Sequence, residues 1–319
     1  MTSSTKLTNT TVWIMAVAPG LSCANLYYNQ PLLADMQNAF GVSVKEIGII
    51  PTLTQVGYAL GMLLLVPLGD MFERRKLIVI TSVLVTGALL LAATSQSLMM
   101  MAVASLLIGL MTMAPQLIIP FAAHLAAPEN RGRVIGIIMA GLLIGILLSR
   151  TFAGFIASVW GWRSVFYIAA GIMTVLSCSL YFVLPTNEAH FKGTYFGLLK
   201  SIWQIMREEP TLREASVVGA MIFGIFSAIW ATLIFLLSTP HFGYGAREVG
   251  LFGILGAAGA AAAPLMGRVS DKKGARYGVG LGLILVSLSV VALFFSSQSL
   301  IGLIIGIFVM DFEIGRAHV

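Results

Sequence analysis

The chain has 319 residues, of which 58% are hydrophobic and 10% charged, and its formal net charge is +6. Soluble domains carry about 25% charged residues, so this composition excludes an ordinary soluble fold. The basic residues are concentrated in alternate loops and form no continuous basic face, which argues against nucleic-acid binding.

Ten apolar segments follow one another along the chain, most of them near the roughly 20 residues that cross a bilayer as a helix. We predict spans at 11–34, 46–69, 76–95, 98–123, 133–158, 163–185, 214–238, 246–267, 277–296 and 298–312. The fold class is therefore an all-α polytopic membrane protein. The N-terminal sequence MTSSTKLTNTT lacks the basic region and cleavage site of a signal peptide, so we expect the first segment to remain as a span.

The distribution of Lys and Arg residues predicts the orientation. Fourteen of the 19 lie on the same side as the N-terminus, and three (Lys45, Arg163 and Arg247) lie on the opposite side. Because basic loops stay in the cytoplasm, we expect a cytoplasmic N-terminus.

The longest polar stretch, 186–213, separates the sixth and seventh spans. Within it, YFGLLKSIWQIMREEP places apolar residues at helical spacing, with charged residues at other positions. This pattern predicts an amphipathic helix in a cytoplasmic linker. Two interpretations stay open: the helix lies on the inner membrane surface, or it is a solvated connection.

An internal repeat indicates two similar halves. The loop PLGDMFERRK follows span two and LMGRVSDKKGAR follows span eight, and aligning Asp70 with Asp271 gives an offset of 201 residues. The turns TSQSL and SSQSL precede spans four and ten at an offset of 202, from Thr94 to Ser296. We expect an N-terminal bundle at 1–185 and a partial C-terminal bundle at 214–312.

These features resemble the major facilitator superfamily, whose loop signature combines an aspartate with glycines and basic residues. The second-half loop carries Gly267, Asp271, Lys272, Gly274 and Arg276. The first-half loop keeps Asp70, Arg74 and Arg75 but lacks both glycines. The stretches ANLYYNQPLLADM, GLLIGILLSRTFAG and FSAIWATLIFLL resemble the bacterial twelve-span drug:proton antiporters, near purine-ribonucleoside and sugar efflux proteins.

The resemblance implies two six-helix bundles in a bacterial inner membrane, a monomer, and a small-molecule substrate exchanged for protons. It implies twelve spans, whereas ten are present, and the tail EIGRAHV at 313–319 breaks the apolar pattern. One reverse translation of that tail contains the start of a widely used sequencing adapter. We therefore expect a C-terminally truncated fragment with a non-native tail.

Two charged residues inside predicted spans are candidates for coupling, because intramembrane charges are costly and are usually paired or functional. Arg150 lies in the outer half of span five, and Asp311 lies near the middle of span ten. We expect Asp311 to carry the proton, with Arg150 as its charge partner. Asp35, at the outer end of span one, is either a partner of Arg150 or solvated. A structural clamp is the alternative for Arg150, and a buried hydrogen-bonded carboxyl is the alternative for Asp311.

Polar side chains in span one are predicted to contact substrate. Asn25, Tyr28 and Asn29 fall on one helical face, and Gln30 follows them. The alternative is an interfacial aromatic belt with capping residues. Weaker candidates for the cavity wall, for each of which ordinary helix packing is the favoured explanation, are Gln55, Tyr58, Gln116 and Trp230.

The acidic and basic residues of the two repeated loops are predicted to latch and release as the halves move, with topology determination as the alternative. A phosphate-binding loop ahead of a lysine, a metal-ligand cluster and a serine–histidine–aspartate arrangement are not found, so we expect neither a cofactor nor an enzyme. We expect a secondary transporter that exports a small organic solute by proton antiport. Proton-coupled uptake and a non-transporting membrane receptor or scaffold are the alternatives.

Overall fold

The computed structural model describes residues 9–186, 193–261, 275–295 and 299–317. Within these ranges the chain forms helices connected by short turns, with no strand. The α-helices are α1 Asn9–Ala24, α2 Leu33–Phe40, α3 Val44–Ile47, α4 Ile49–Leu64, α5 Leu68–Met71, α6 Arg74–Ala93, α7 Leu98–Met111, α8 Ala114–Leu125, α9 Arg131–Trp160, α10 Trp162–Val183, α11 Tyr195–Glu208, α12 Pro210–Leu237, α13 Ala246–Ala261, α14 Ala275–Phe295 and α15 Leu300–Ala317. Short 3₁₀ helices occupy Gln30–Leu32 and Pro128–Asn130.

Six helical segments in the described residues are long and apolar enough to cross a membrane. They are Val44–Met71, Arg74–Ala93, Leu98–Leu125, Pro128–Trp160, Trp162–Val183 and Pro210–Leu237. Shorter apolar helices lie at Thr10–Ala24, Gly282–Phe295 and Leu300–Met310. The all-helical membrane architecture is therefore confirmed, while the count of ten spans stays a prediction.

Helices of the first half pack in pairs, α1 on α9, α4 on α7 and α6 on α10. The α4–α7 pair is close because a glycine on each helix faces the backbone of the other. A Cβ added at Gly109 would collide with the carbonyl oxygen of Thr54, and one added at Gly57 would collide with that of Leu106. Such approach of backbones is typical of membrane helices, where small residues maximise van der Waals contact.

Replacing Gly109 by valine is expected to destabilise the protein by about 3 kcal/mol or more, because the added carbons meet rigid backbone and not a movable side chain. A Cβ at Gly87, on α6, meets nothing within 4 Å. Thermal unfolding in detergent should therefore show a large loss for Gly109→Val and a small one for Gly87→Val. Equal losses would contradict the close α4–α7 crossing.

The first half meets the later helices where α9 packs against α13. Gly250 of α13 lies against the carbonyl of Arg150, and Gly154 of α9 lies against that of Ala246. The Thr151 hydroxyl donates a hydrogen bond to the Gly250 carbonyl at 2.7 Å. The pairs α13–α15 and α14–α15 correspond to α4–α7 and α6–α7 at the repeat offset.

The loop after α4 holds two of the predicted gating residues in an ion pair. Asp70 and Arg74 are 2.9 Å apart, and Arg74 Nε also donates to the Gly69 carbonyl at 3.1 Å. Arg75 lies over the ring of Tyr181 and donates to its carbonyl oxygen. In the second repeated loop, Gly267, Asp271, Lys272 and Gly274 lie outside the described residues, as does the side chain of Arg276.

Candidate functional site

A cavity of about 820 Å³ lies between α12 and the helices of the first half. Its wall is mainly apolar, with aromatic, amide and hydroxyl groups at intervals, and none of the described residues that line it is charged. The aromatic and polar lining residues include Tyr27, Gln30, Thr52, Gln55, Tyr58, Gln116, Phe223 and Ser227. This volume is within the range of small-molecule sites.

One face of the first span supplies the cavity wall. Cys23, Tyr27 and Gln30 are spaced by four and then three residues and all line the cavity. The α-helix itself ends at Ala24, and the chain continues through tight turns such as Tyr27 N–H to Ala24 O at 3.0 Å. Irregular turns of this kind inside a span often mark functional positions.

Arg150 fixes the orientation of the Gln30 amide. Arg150 is 1% exposed, and its Nε donates to Gln30 Oε1 at 2.8 Å. Because a guanidinium can only donate, the carbonyl end of Gln30 must face Arg150, and the amide nitrogen is the end left for another acceptor. Gln30 lines the cavity, whereas Arg150 lies behind it. The cavity therefore presents an oriented hydrogen-bond donor.

Aromatic rings from both halves surround the Arg150 guanidinium. The ring of Trp230 is 4.0 Å away and that of Phe226 is 5.3 Å away, both on α12, and Tyr27 of the first span is 4.8 Å away. Such contacts contribute about 2 kcal/mol or more when desolvated. Arg150 thus connects the first span to α12. Trp230, predicted as a cavity residue, is 1% exposed and stacks on this arginine instead of lining the cavity.

A second amide reaches the cavity where the fourth span is interrupted. Helix α7 ends at Met111 and α8 begins at Ala114, so Gln116 follows the break. The Gln116 amide donates to the Tyr58 hydroxyl at 2.8 Å, and both residues line the cavity. Gln116 and Gln30 thus line one cavity. Their contact with substrate stays a prediction.

The other polar residues of span one lie elsewhere. Asn29 donates to the Thr54 hydroxyl at 2.9 Å, and Tyr28 packs against Phe152 with ring centroids 5.8 Å apart. Asn25 is 2% exposed, and neither side-chain polar atom has a hydrogen-bond partner among the described residues. None of the three lines the cavity described above, and their predicted contact with substrate stays a prediction.

Of the two acidic candidates, the structure describes the side chain of Asp35 but not that of Asp311. Asp35 is exposed on α2 and, within the described residues, forms no ion pair, so the expected pairing with Arg150 is not formed here. Asp311 belongs to α15, and its side chain lies outside the described part of the chain.

Residues that the sequence analysis missed are Cys23, Tyr27 and Phe223, all on the cavity wall. For Cys23 and Tyr27, the helical spacing that they share with Gln30 could have predicted a position on the same wall. In the described residues, no group of three or more histidine, cysteine, aspartate or glutamate side chains could hold a metal ion. The described wall offers a small solute an apolar cavity, aromatic rings for stacking and neutral hydrogen-bonding groups.

Comparison with known proteins agrees with this architecture. The family model described as Major Facilitator Superfamily matches residues 15–316. The Uncharacterized transporter YgaY of Escherichia coli O157:H7 is 42% identical over 306 residues, covering 96% of this chain and 78% of that protein. A Helicobacter pylori (strain G27) protein named "Probable sugar efflux transporter" is 23% identical over 259 residues, covering 80% of this chain and 64% of its own.

A solved structure shows the same fold. It is a bacterial homolog of the human lysosomal transporter Spinster in an inward-facing, unoccupied conformation, with a TM-score of 0.78 and 17% identity, covering 97% of this chain and 74% of that one. The matches indicate a multi-pass membrane transporter and not an enzyme. With the family model covering nearly the whole sequence, the chain belongs to the Major Facilitator Superfamily.

Proposed function

We propose that the protein is a secondary active transporter that exports a small organic solute in exchange for protons. The solute is drug-, nucleoside- or sugar-like and binds in the cavity between the halves. Alternating access then exposes this cavity to each side of the bacterial inner membrane in turn.

The observation that carries the proposal is the cavity wall around Gln30. Its oriented amide donor, the Gln116–Tyr58 pair and the Phe223 ring offer hydrogen bonds and a stacking surface in one chamber. These groups suit a solute that combines an apolar or planar body with hydroxyl or carbonyl oxygens. The name of the H. pylori relative, a sugar efflux transporter, supports outward transport of such a hydroxylated solute.

The position of Arg150 supports movement of the two halves around this cavity. It contacts the first span through Gln30 and Tyr27, and α12 through Trp230 and Phe226. A change in the separation of the halves must break or remake some of these contacts. Binding at Gln30 is thereby linked physically to the arrangement of the helices.

Counterflow by the full-length protein in proteoliposomes tests this proposal. A panel of labelled nucleosides, sugars and neutral or cationic drugs should include at least one solute that exchanges, and an imposed pH gradient should drive its net export. Net movement in the same direction as the protons would instead indicate uptake. Saturable binding without counterflow would indicate a receptor or scaffold and would contradict transport.

A further inference from the structure

Helix α11 carries a stripe of alternating aromatic and basic residues. Phe196, Lys200, Trp203 and Arg207 are spaced by four, three and four residues, so they lie along one side of the helix. All four are exposed, with Phe196 at 81% and Trp203 at 63%. The Arg207 guanidinium lies 5.4 Å from the centre of the Trp203 ring. We call these four residues the aromatic–basic stripe.

The neighbouring side of α11 carries neutral polar and acidic side chains instead of aromatic and basic ones. Ser201, Gln204 and Glu208 lie there, and the Gln204 amide donates to the Glu208 carboxylate at 2.8 Å. Positive charge on α11 is thus concentrated beside the exposed rings, and the negative charge of Glu208 lies away from them. A solvated connection would need no such separation.

Contacts at both ends of α11 hold the stripe beside two apolar segments. The helix begins after a cap at Thr194, whose hydroxyl accepts from the Gly197 amide at 3.2 Å, and ends two residues before Pro210, where α12 begins. Its first residue, Tyr195, donates to the carbonyl of Leu64 at 2.9 Å, at the end of α4. Since α12 begins the apolar segment Pro210–Leu237 and α4 belongs to the apolar segment Val44–Met71, α11 directly precedes one segment long enough to cross the bilayer and contacts another.

We propose that the aromatic–basic stripe binds the anionic lipid leaflet on the side of the linker. Tryptophan and phenylalanine rings enter the headgroup–acyl boundary, and Lys200 and Arg207 reach the lipid phosphates above them. A basic residue near an anionic leaflet strengthens binding about five-fold. The linker helix is therefore a lipid-binding surface that anchors the end of α4 through Tyr195.

Site-directed spin labelling of the full-length protein tests this surface. Both natural cysteines, Cys23 and Cys178, are replaced by serine, and a nitroxide is placed at position 196 or, separately, at position 204. The protein is reconstituted in vesicles of phosphatidylcholine alone or mixed with phosphatidylglycerol. The measured quantity is the ratio of collisions with oxygen to collisions with a water-soluble nickel chelate.

We expect phosphatidylglycerol to raise this ratio at least five-fold at position 196 and to leave it low at position 204. Lys200→Gln with Arg207→Gln should remove the rise, whereas Lys45→Gln with Arg247→Gln, which changes the net charge equally, should not. The proposal is overturned by a label at 196 that is equally exposed to water in both vesicles, or by an equal effect of both charge pairs. It is also overturned if inorganic phosphate alone produces the rise in phosphatidylcholine vesicles.

Discussion

Arg150→Met is expected to lower counterflow at least ten-fold while changing the melting temperature little. A charged residue inside a span costs up to about 2.5–3.5 kcal/mol to insert, the value for the helix centre, and the substitution removes this cost. It also removes the bond to Gln30 and the contacts with Trp230 and Tyr27, which together contribute about 3–5 kcal/mol. The two effects on stability largely cancel. The orientation of the Gln30 amide, however, is lost.

Variants of the two partners show whether Arg150 acts through Gln30. Arg150→Lys keeps the charge but lacks the planar guanidinium, whose N–H groups donate in fixed directions. This variant should therefore transport poorly as well. Gln30→Leu should also lower counterflow, and Arg150→Met combined with Gln30→Leu should be scarcely worse than either alone, because both changes remove the same oriented donor. Effects that multiply would contradict a role of Arg150 in positioning Gln30.

Asp311→Asn is expected to abolish the dependence of transport on the pH gradient while leaving solute counterflow largely intact. Asparagine has the shape of the aspartate but cannot gain or lose a proton, so the variant can exchange solute but cannot couple it to protons. Net export should fall at least ten-fold under a pH gradient that drives the wild type. If the variant exports as the wild type does, Asp311 is not the coupling residue.

The long spans could be predicted from sequence because an apolar run long enough to cross a bilayer has few structural alternatives. Predicted spans at 133–158 and 163–185 correspond to helices Arg131–Trp160 and Trp162–Val183. The interruptions at Ala24 and Met111 could not be predicted in this way. Both positions lie inside predicted spans, 11–34 and 98–123, and the turns there depend on packing against neighbouring helices.

The candidate site was predictable only in part because polarity alone does not distinguish a cavity wall from a packed interface. The polar side chain of Asn29 hydrogen-bonds the Thr54 hydroxyl on the next helix, and Tyr28 packs against Phe152. The cavity face instead carries Cys23 and Tyr27 beside Gln30, and is less polar than the packed face. Arg150 was found because a charge inside an apolar span is conspicuous, but its place behind Gln30 required the structure.

In the proposed transport cycle, the solute passes through the cavity between α12 and the first half. Gly224 on α12 lines this cavity, and a Cβ there meets nothing within 4 Å. Leucine at this position should fill the cavity without disturbing the helix. Gly171 on α10 is equally open but lies on an outer groove, so Gly171→Leu is the matched control.

Counterflow of the exchanging solute by these two variants in proteoliposomes is the most direct test. We expect at least a ten-fold loss for Gly224→Leu and a rate close to wild type for Gly171→Leu. A wild-type rate for Gly224→Leu would show that the solute takes a path that does not pass through this cavity.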